Sequence, residues 1–93
     1  MKYRVSYSGD FKRDFKRVKR QGCDMEKLEK VLELLVNGEK LPPKYRDHKL
    51  DGEYLGTREC HIAPDWLLIY EVIEDELVLY LTRTGSHAKL FKK

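Results

Sequence analysis

The residues from Trp66 to Ile73 form a nearly continuous apolar run. A run of this length that is bounded by turn residues is typical of a strand covered on both faces. Here Pro64-Asp65 precedes the run and Glu74-Asp75 follows it. The pattern predicts a central strand, and the segment from Glu76 to Thr82 predicts the next strand, so that the two form an antiparallel hairpin.

Two helices are predicted before this hairpin. In the first, Phe11, Phe15 and Val18 recur at helical spacing. The preceding Ser8-Gly9-Asp10 turn offers Ser8 or Asp10 as an N-cap, and Gln21-Gly22 ends the helix.

The second helix begins after Asp24, whose side chain can cap it. Its apolar residues follow the same spacing and are Leu28, Val31, Leu32 and Leu35. Asn37-Gly38 ends this helix. Pro42-Pro43 prevents it from resuming, because proline lacks a backbone N–H.

The period changes after residue 44, where Thr57 to Ala63 is strand-like. Because side chains alternate along a strand, Glu59 and His61 are expected on one side and Cys60 and Ile62, with Arg58, on the other. Buried in such a strand, Cys60 is expected to behave as a small apolar residue.

The order of elements predicts an α+β fold. A short strand from Lys2 to Ser6 comes first, then the two helices, then three or four strands. Ser86 can cap a short final helix that runs through Phe91. We therefore expect residues 1–93 to form one domain, with the N-terminal strand and two helices packed on one face of a mostly antiparallel sheet.

Arg83 conflicts with a regular strand. It shares parity with Leu77, Leu79 and Leu81, so a regular strand would point its guanidinium into the core that faces the helices. Either the strand ends before Arg83 or a bulge redirects the side chain.

The charge distribution indicates an anionic partner. The net charge is only +3, but six basic residues lie between Lys12 and Arg20, opposed by Asp14 alone. A second basic set flanks His48, and a third includes Lys92 and Lys93 at the end of the chain. Clustered cations are typical of nucleic-acid binding, although a single run is more often a solvated face.

The two cysteines, Cys23 and Cys60, match no zinc or thioredoxin spacing. The sequence has neither an apolar stretch long enough to span a membrane nor a secretory signal pattern. We therefore expect a soluble cytoplasmic protein that is not bound to a membrane.

The chain has three histidines, His48, His61 and His87, and each lies beside a strand end or a turn signal. Histidine moves protons near neutral pH, so two imidazoles with Asp65 and Arg83 are the groups that metal-free cleavage of a phosphodiester requires. A zinc site built from the three histidines and Asp65 is the alternative, but the spacing fits no compact ligand motif.

Several short motifs in the second half resemble those of the YafQ branch of the RelE toxin superfamily, and the similarity extends over nearly the whole chain. The matching segments are Asp47-His48-Lys49-Leu50-Asp51-Gly52, Arg58-Glu59-Cys60-His61-Ile62, Pro64-Asp65-Trp66-Leu67-Leu68-Ile69-Tyr70, Arg83-Thr84-Gly85-Ser86-His87 and Leu90-Phe91.

The resemblance implies a RelE-like toxin of a type II toxin–antitoxin pair. Such toxins cut messenger RNA in the A site of a translating ribosome, use no metal or other cofactor, and are neutralised by an antitoxin that is usually encoded next to them and expected to be acidic. It also implies roles for matched residues. The catalytic groups would be His48, His61, Asp65 and His87, while Arg83, Trp66, Phe91 and Lys49 would contact the RNA or its phosphates.

Our hypothesis gives the acid role to His87, because the positive end of a short helix capped by Ser86 favours proton donation. The base would be His48, or His61 oriented by Asp65. Arg83 would hold the phosphate, and the products would carry 2′,3′-cyclic phosphate and 5′-hydroxyl ends.

Two other classes of protein remain open. One is a basic module that binds RNA or the ribosome without catalysis. The other is an interaction protein that binds a partner helix through the basic face of its first helix. Each matched residue also has a structural interpretation: Trp66 and Phe91 as core, Asp65 as a turn residue and Arg83 as half of a surface ion pair.

Overall fold

The computed structural model describes residues 1–91, and their elements confirm the predicted order of one strand, two helices and further strands. The strands are β1 (Arg4–Tyr7), β2 (His48–Lys49), β3 (Arg58–Ala63), β4 (Trp66–Ile73) and β5 (Val78–Gly85), and the helices are α1 (Gly9–Arg20), α2 (Met25–Val36) and α3 (His87–Leu90). Short 3₁₀ turns occupy Pro43–Tyr45, Gly52–Tyr54 and Glu74–Glu76. The predicted basic end, Lys92 and Lys93, lies outside the described residues.

The helix caps are the predicted ones. The Oγ of Ser8 accepts a hydrogen bond from the Phe11 N–H at 2.9 Å, and Asp24 accepts one from the Glu26 N–H at 3.1 Å. Asn37 is the C-cap of α2. None of the helices within residues 1–91 has the length and apolar content to cross a membrane.

The strands form one mixed sheet in the order β1-β5-β4-β3-β2. The β1/β5 pair is parallel and the other three pairs are antiparallel, which confirms a mostly antiparallel sheet. Both boundaries of the last strand were predicted wrongly, as Glu76 and Thr82. The last strand begins at Val78, because Glu74–Glu76 forms a 3₁₀ turn, and it continues to Gly85 rather than ending at Thr82.

Alternation along the central strand β4 divides the core between the two faces of the sheet. Leu68 and Tyr70 belong to the main core, which also contains the buried residues of α1 and α2. Leu67 and Ile69 point to the opposite face and pack with Leu90 of α3 in a smaller cluster. The second face is therefore only partly covered, and this is where the polar residues discussed below collect.

A β-bulge resolves the conflict at Arg83. Ile69 pairs with Arg83 but Tyr70 pairs with Leu81, so Thr82 is an extra residue in β5. The extra residue reverses the alternation. Leu81 stays in the main core, while Arg83 shares the opposite face with Ile69. The bulge was one of the two predicted alternatives and is confirmed.

On the side away from β4, the bulged end of β5 has no strand beside it, because β1 ends at Tyr7, which pairs with Leu81. Side chains of α1 bind its backbone instead. Asp14 accepts a hydrogen bond from the Thr84 N–H at 3.1 Å, and Arg17 donates one to the Thr84 carbonyl at 3.1 Å. Gly85 permits this close approach, because a Cβ there would lie 2.6 Å from the Arg17 guanidinium.

Candidate active site

The three histidines, which are far apart in the chain, come together on the partly covered face of the sheet. The ring centroids of His48 and His61 are 6.5 Å apart, and those of His61 and His87 are 5.5 Å apart. His48 is supplied by β2, His61 by β3 and His87 by the first residue of α3. Three imidazoles at these spacings can exchange protons with one bound molecule.

Glu59 lies between two of these histidines. Its Oε1 is 3.5 Å from the Nε2 of His48 and 3.5 Å from the Nε2 of His61, and the residue is only 4% exposed. Strand alternation predicted Glu59 on the same side of its strand as His61, but no role for Glu59 was predicted from the sequence. That shared parity is the signal that could have identified it.

His48 is held in place by hydrogen bonds of the two residues that precede it. Its Nδ1 donates to the Arg46 carbonyl at 2.7 Å. The neighbouring Asp47 accepts hydrogen bonds from Tyr70 at 2.9 Å and Arg58 at 3.1 Å, which ties β2 to β3 and β4. Burial, with the bond to Asp47, raises the pKa of Tyr70, so this phenol stays protonated as the donor.

His87 is paired with Asp65, and this corrects one expectation. The Asp65 Oδ1 accepts hydrogen bonds from the His87 Nδ1 at 2.9 Å and from the His87 N–H at 3.1 Å, so Asp65 orients His87 rather than His61. The side-chain bond from His87, followed by the backbone bond, lowers the pKa of Asp65. A carboxylate only accepts hydrogen bonds, so the His87 Nδ1 carries a proton and its Nε2 remains for exchange.

Arg83 is oriented by Asp14, which the sequence had shown only as one acid within a basic run. Its Nε donates to the Asp14 Oδ2 at 2.6 Å and its Nη2 to the Oδ1 at 3.1 Å, while Arg17 donates to the same Oδ1 at 2.7 Å. Burial by itself would raise the pKa of Asp14, but the bonds from Arg83 and Arg17 outweigh it and lower that pKa. Asp14 also raises the pKa of Arg83, so both groups are charged at neutral pH.

A cleft of about 510 Å³ lies beside Arg83, with Tyr54 and Phe91 among its lining residues. The Phe91 ring is 5.6 Å from that of Tyr54 and 6.5 Å from that of His87. Phe91, predicted to line the site, therefore connects His87 to this cleft. Tyr54 was not predicted; it is the last residue of the 3₁₀ turn Gly52–Tyr54, and its position carries no distinct sequence signal.

Two predicted RNA-contacting residues lie away from the cleft. Trp66 is 6% exposed and belongs to the main core, where its Nε1 donates to the Thr84 Oγ at 2.9 Å. Lys49 follows His48 in β2, so alternation directs its side chain to the other face of the sheet. Trp66 thus supports the strand that carries Arg83, and an RNA contact by Lys49 stays a prediction.

Three side chains are placed so that they could hold a metal ion. Glu59, His61 and His87 each offer a ligand atom, and these atoms lie within 4.8 Å of one another. Two imidazoles and a carboxylate form a familiar set of ligands for zinc and similar ions. This set differs from the one considered from the sequence, since it contains Glu59 in place of His48 and Asp65.

Comparisons with known proteins agree with this fold. The family model described as "Bacterial toxin of type II toxin-antitoxin system, YafQ" matches residues 3–92. The mRNA interferase toxin YafQ of Escherichia coli K12 is 41% identical over 88 residues, which are 94% of each chain.

Two solved structures show the same architecture. The E. coli DinJ-YafQ complex matches with a TM-score of 0.86 and 40% identity, over 96% of this chain and 98% of that chain. A metal-bound toxin from Helicobacter pylori matches with a TM-score of 0.89 and 41% identity, over 98% of this chain and 100% of that chain.

The fold and the family match together define a class, the small toxins with a RelE-like fold. Within that class, the chain belongs to the YafQ family of bacterial toxins of type II toxin–antitoxin systems.

Proposed function

We propose that this protein is a messenger RNA endonuclease toxin that cleaves on the ribosome and needs no metal for cleavage. The observation that carries the proposal is that three imidazoles, separated by 13 and 26 positions (48 to 61 and 61 to 87), meet beside an oriented guanidinium and an open cleft. The name of the E. coli relative, an mRNA interferase, supports the same substrate and reaction.

The proposed reaction is attack of a ribose 2′-hydroxyl on the adjacent phosphorus. The 2′-oxygen–phosphorus bond forms as the bond to the 5′-oxygen breaks, leaving a 2′,3′-cyclic phosphate and a 5′-hydroxyl. A base takes the 2′ proton and an acid gives a proton to the leaving 5′-oxygen. Each positioned proton-transfer group typically contributes about 10²- to 10⁴-fold to the rate.

His61 suits the role of base. Glu59 can hold one nitrogen of its ring in place, which leaves the other nitrogen to accept the 2′ proton. His48 is less free, because the Arg46 carbonyl binds its Nδ1 and Glu59 lies 3.5 Å from its Nε2. We therefore assign His48 to stabilising the negative charge of the Glu59 carboxylate and not to proton transfer.

His87 suits the role of acid. The Asp65 carboxylate accepts from its Nδ1 and fixes the ring, so its Nε2 is free to give a proton to the leaving oxygen. Arg83 would bind the phosphate with the edge of its guanidinium that Asp14 leaves free, since Asp14 occupies the Nε and Nη2 edge. Phe91 and Tyr54 offer aromatic faces on which a base can stack.

The test replaces His87 with Ala and compares cleavage of messenger RNA on programmed ribosomes with the wild-type protein. We expect a loss of at least about 10²-fold, because one proton-transfer group is removed. The side chain is 51% exposed, so the fold should survive, and circular dichroism would check this. A folded His87→Ala protein that cuts at the wild-type rate would refute the acid role.

A second experiment distinguishes cleavage of messenger RNA from occupancy of the ribosome without cleavage. Mapping the 5′ ends of cellular transcripts after a brief pulse of expression reports cleavage, base preference and dependence on reading frame together. Growth arrest that persists in a variant lacking all three histidines would favour the rival, a module that blocks ribosomes without cutting RNA.

We also propose that a cognate acidic antitoxin neutralises the toxin in the bacterial cytoplasm, as the DinJ-YafQ complex suggests. A surface suited to binding the antitoxin lies at the end of β1 and along α1, and it shares no residue with the cleft beside Arg83. Tyr7, Phe11 and Phe15 form a row of aromatic rings with centroids 6.1 and 6.2 Å apart. These rings and the lysines at positions 12, 16 and 19 line one shallow pocket, which fits an amphipathic segment that carries acidic residues.

Metal binding is a second property that the cluster of Glu59, His61 and His87 favours, together with the metal-bound H. pylori toxin. An ion held there would coordinate nitrogens of the two histidines that we assign to proton transfer. Bound metal would therefore inhibit cleavage rather than support it.

A further inference from the structure

The molecule has a second groove, which shares no lining residue with the cleft beside Arg83. It has a volume of about 580 Å³, and His61 forms part of its wall. Its cations come from two separate parts of the chain: Lys27 and Lys30 from α2, and Lys44 and Arg46 from the turn before β2. Tyr45 provides an aromatic surface between them.

The charged residues that line the groove are all positive. Four cations line it, and none of its lining residues is a carboxylate. All four are exposed, and among the ion pairs within residues 1–91 none involves them. Unpaired cations converging on one concavity produce a positive potential that attracts an anionic polymer.

The amino-acid sequence does not show this cluster. The two lysines of α2 lie among Glu26, Glu29 and Glu33, so the helix has no basic run. Residues three apart share a helix face, which puts Lys27 and Lys30 side by side. The packing of α2 and the turn at Pro43–Tyr45 against β3 then brings Lys44 and Arg46 opposite them.

The groove is connected to the proposed active site at two points. His61 borders both, and the Arg46 carbonyl binds the Nδ1 of His48 at 2.7 Å. The successive ring distances of 5.5 Å from His61 to His87 and 6.5 Å from His87 to Phe91 put the two proton-transfer histidines between the groove and the Arg83 cleft. A strand with its reactive linkage at these histidines would have the cleft on one side and the groove on the other.

We infer that the groove binds phosphates of the RNA strand that flank the linkage to be cut. The inference rests on the proposed function, because it requires the substrate to be a single-stranded RNA. Lysines and an arginine on mobile side chains suit backbone phosphates, which carry no base identity. The groove would therefore tighten binding of any longer RNA without setting sequence preference.

The experiment measures binding in a His87→Gln background, so that the RNA stays uncut. Fluorescein-labelled single-stranded oligoribonucleotides are titrated by anisotropy over a range of salt, using a trinucleotide and a longer oligonucleotide. The groove variant is Lys27→Gln/Lys30→Gln. The matched control is Lys12→Gln/Lys16→Gln on α1, which removes the same charge at a site away from the groove.

We expect the groove variant to bind the longer RNA more weakly and the trinucleotide as before. The slope of log affinity against log salt should fall by about 0.7 for each phosphate that the variant no longer neutralises. The control should match the parent protein on both RNAs. Equal affinity of parent and groove variant for the longer RNA would overturn the inference. So would an equally weakened control, because the effect would then be general attraction.

Three outcomes distinguish failure of this inference from failure of the proposed function. If wild-type protein cuts messenger RNA but the groove variant binds RNA normally, only the groove assignment fails. If wild-type protein does not cut messenger RNA at all, both the proposed function and the groove assignment fail. A groove variant that binds RNA normally but binds the acidic antitoxin more weakly would assign the groove to the protein partner and overturn the inference.

Discussion

Asp14 is the residue on which the position of Arg83 depends. It is 2% exposed, yet it is charged, because three donors, the side chains of Arg83 and Arg17 and the Thr84 N–H, bind its two oxygens. A buried carboxylate with this many partners is stable only while all of them stay in place. The acid on α1 thus determines the orientation of a guanidinium on β5.

Replacing Asp14 with Asn removes the charge that both arginines bind. We expect unfolding free energy to fall by about 1.5–3 kcal/mol, the range for hydrogen bonds to charged groups. We also expect KM for RNA to rise, because Arg83 loses its orientation. Urea titration measures the first effect and ribosome-dependent cleavage kinetics the second. Unchanged values of both would contradict the role.

The contribution of Asp14 should depend on pH in a definite direction. Its pKa in the folded protein is below the ordinary value of 3.8, so its stabilisation is complete above that value and is lost as the pH falls through the lower, folded-state pKa. The difference in unfolding free energy between wild type and Asp14→Asn should therefore be constant near neutral pH and shrink below about pH 4. A difference that grows on acidification would contradict this.

Inhibition of RNA cleavage by a metal ion would also depend on single residues, the three candidate ligands. Adding zinc to purified protein should slow cleavage, and a chelator should restore the rate, because Glu59, His61 and His87 are within ligand distance of one another. Glu59→Gln should weaken the inhibition, since it removes one ligand. Cleavage that requires the ion and stops with the chelator would show instead that the metal takes part in the reaction.

At the scale of elements, α1 has two different faces. Its inner face carries Asp14 and the apolar residues Phe11 and Val18, which are buried. Its outer face carries the lysines at positions 12, 16 and 19, next to the exposed ring of Tyr7 and the half-buried ring of Phe15. The helix therefore holds the bulged end of β5 from inside and offers a basic, partly apolar surface to a partner outside.

Reversal of these outer charges tests which partner uses the surface. Changing Lys12, Lys16 and Lys19 to Glu should weaken binding of the acidic antitoxin steeply at low salt and leave cleavage on ribosomes intact. Surface plasmon resonance with the antitoxin would measure the first effect. If ribosome binding falls and antitoxin affinity is unchanged, the basic face contacts ribosomal RNA instead.

At the scale of the whole molecule, the sheet joins distant parts of the chain into one site. Its order, β1-β5-β4-β3-β2, puts His48 and His61 on neighbouring strands, and the turn after β5 returns His87 to them. The helices α1 and α2 pack on the opposite face, where their buried residues join the main core. The partly covered face is thus free for the polar residues.

Much of this could be predicted from the sequence because the signals are local. The caps at Ser8 and Asp24, the helical spacing in α1 and the apolar run of β4 each depend on neighbouring residues. The family was predicted from short motifs in order and is confirmed by the match over residues 3–92. Asp65 was given the wrong partner, because which imidazole it reaches depends on the turn at Ser86 and not on sequence distance.

The sequence by itself determined the order of the main elements and the fold class, because hydrophobic period and turn chemistry act over a few residues. It also identified the three histidines as candidate proton-transfer groups. Only the tertiary structure decided what those residues touch. It placed Glu59 between two histidines, Asp14 against Arg83, Trp66 in the core and four scattered cations around one groove. These contacts join residues far apart in the chain, and their geometry follows from strand register and helix packing, which a linear pattern does not encode.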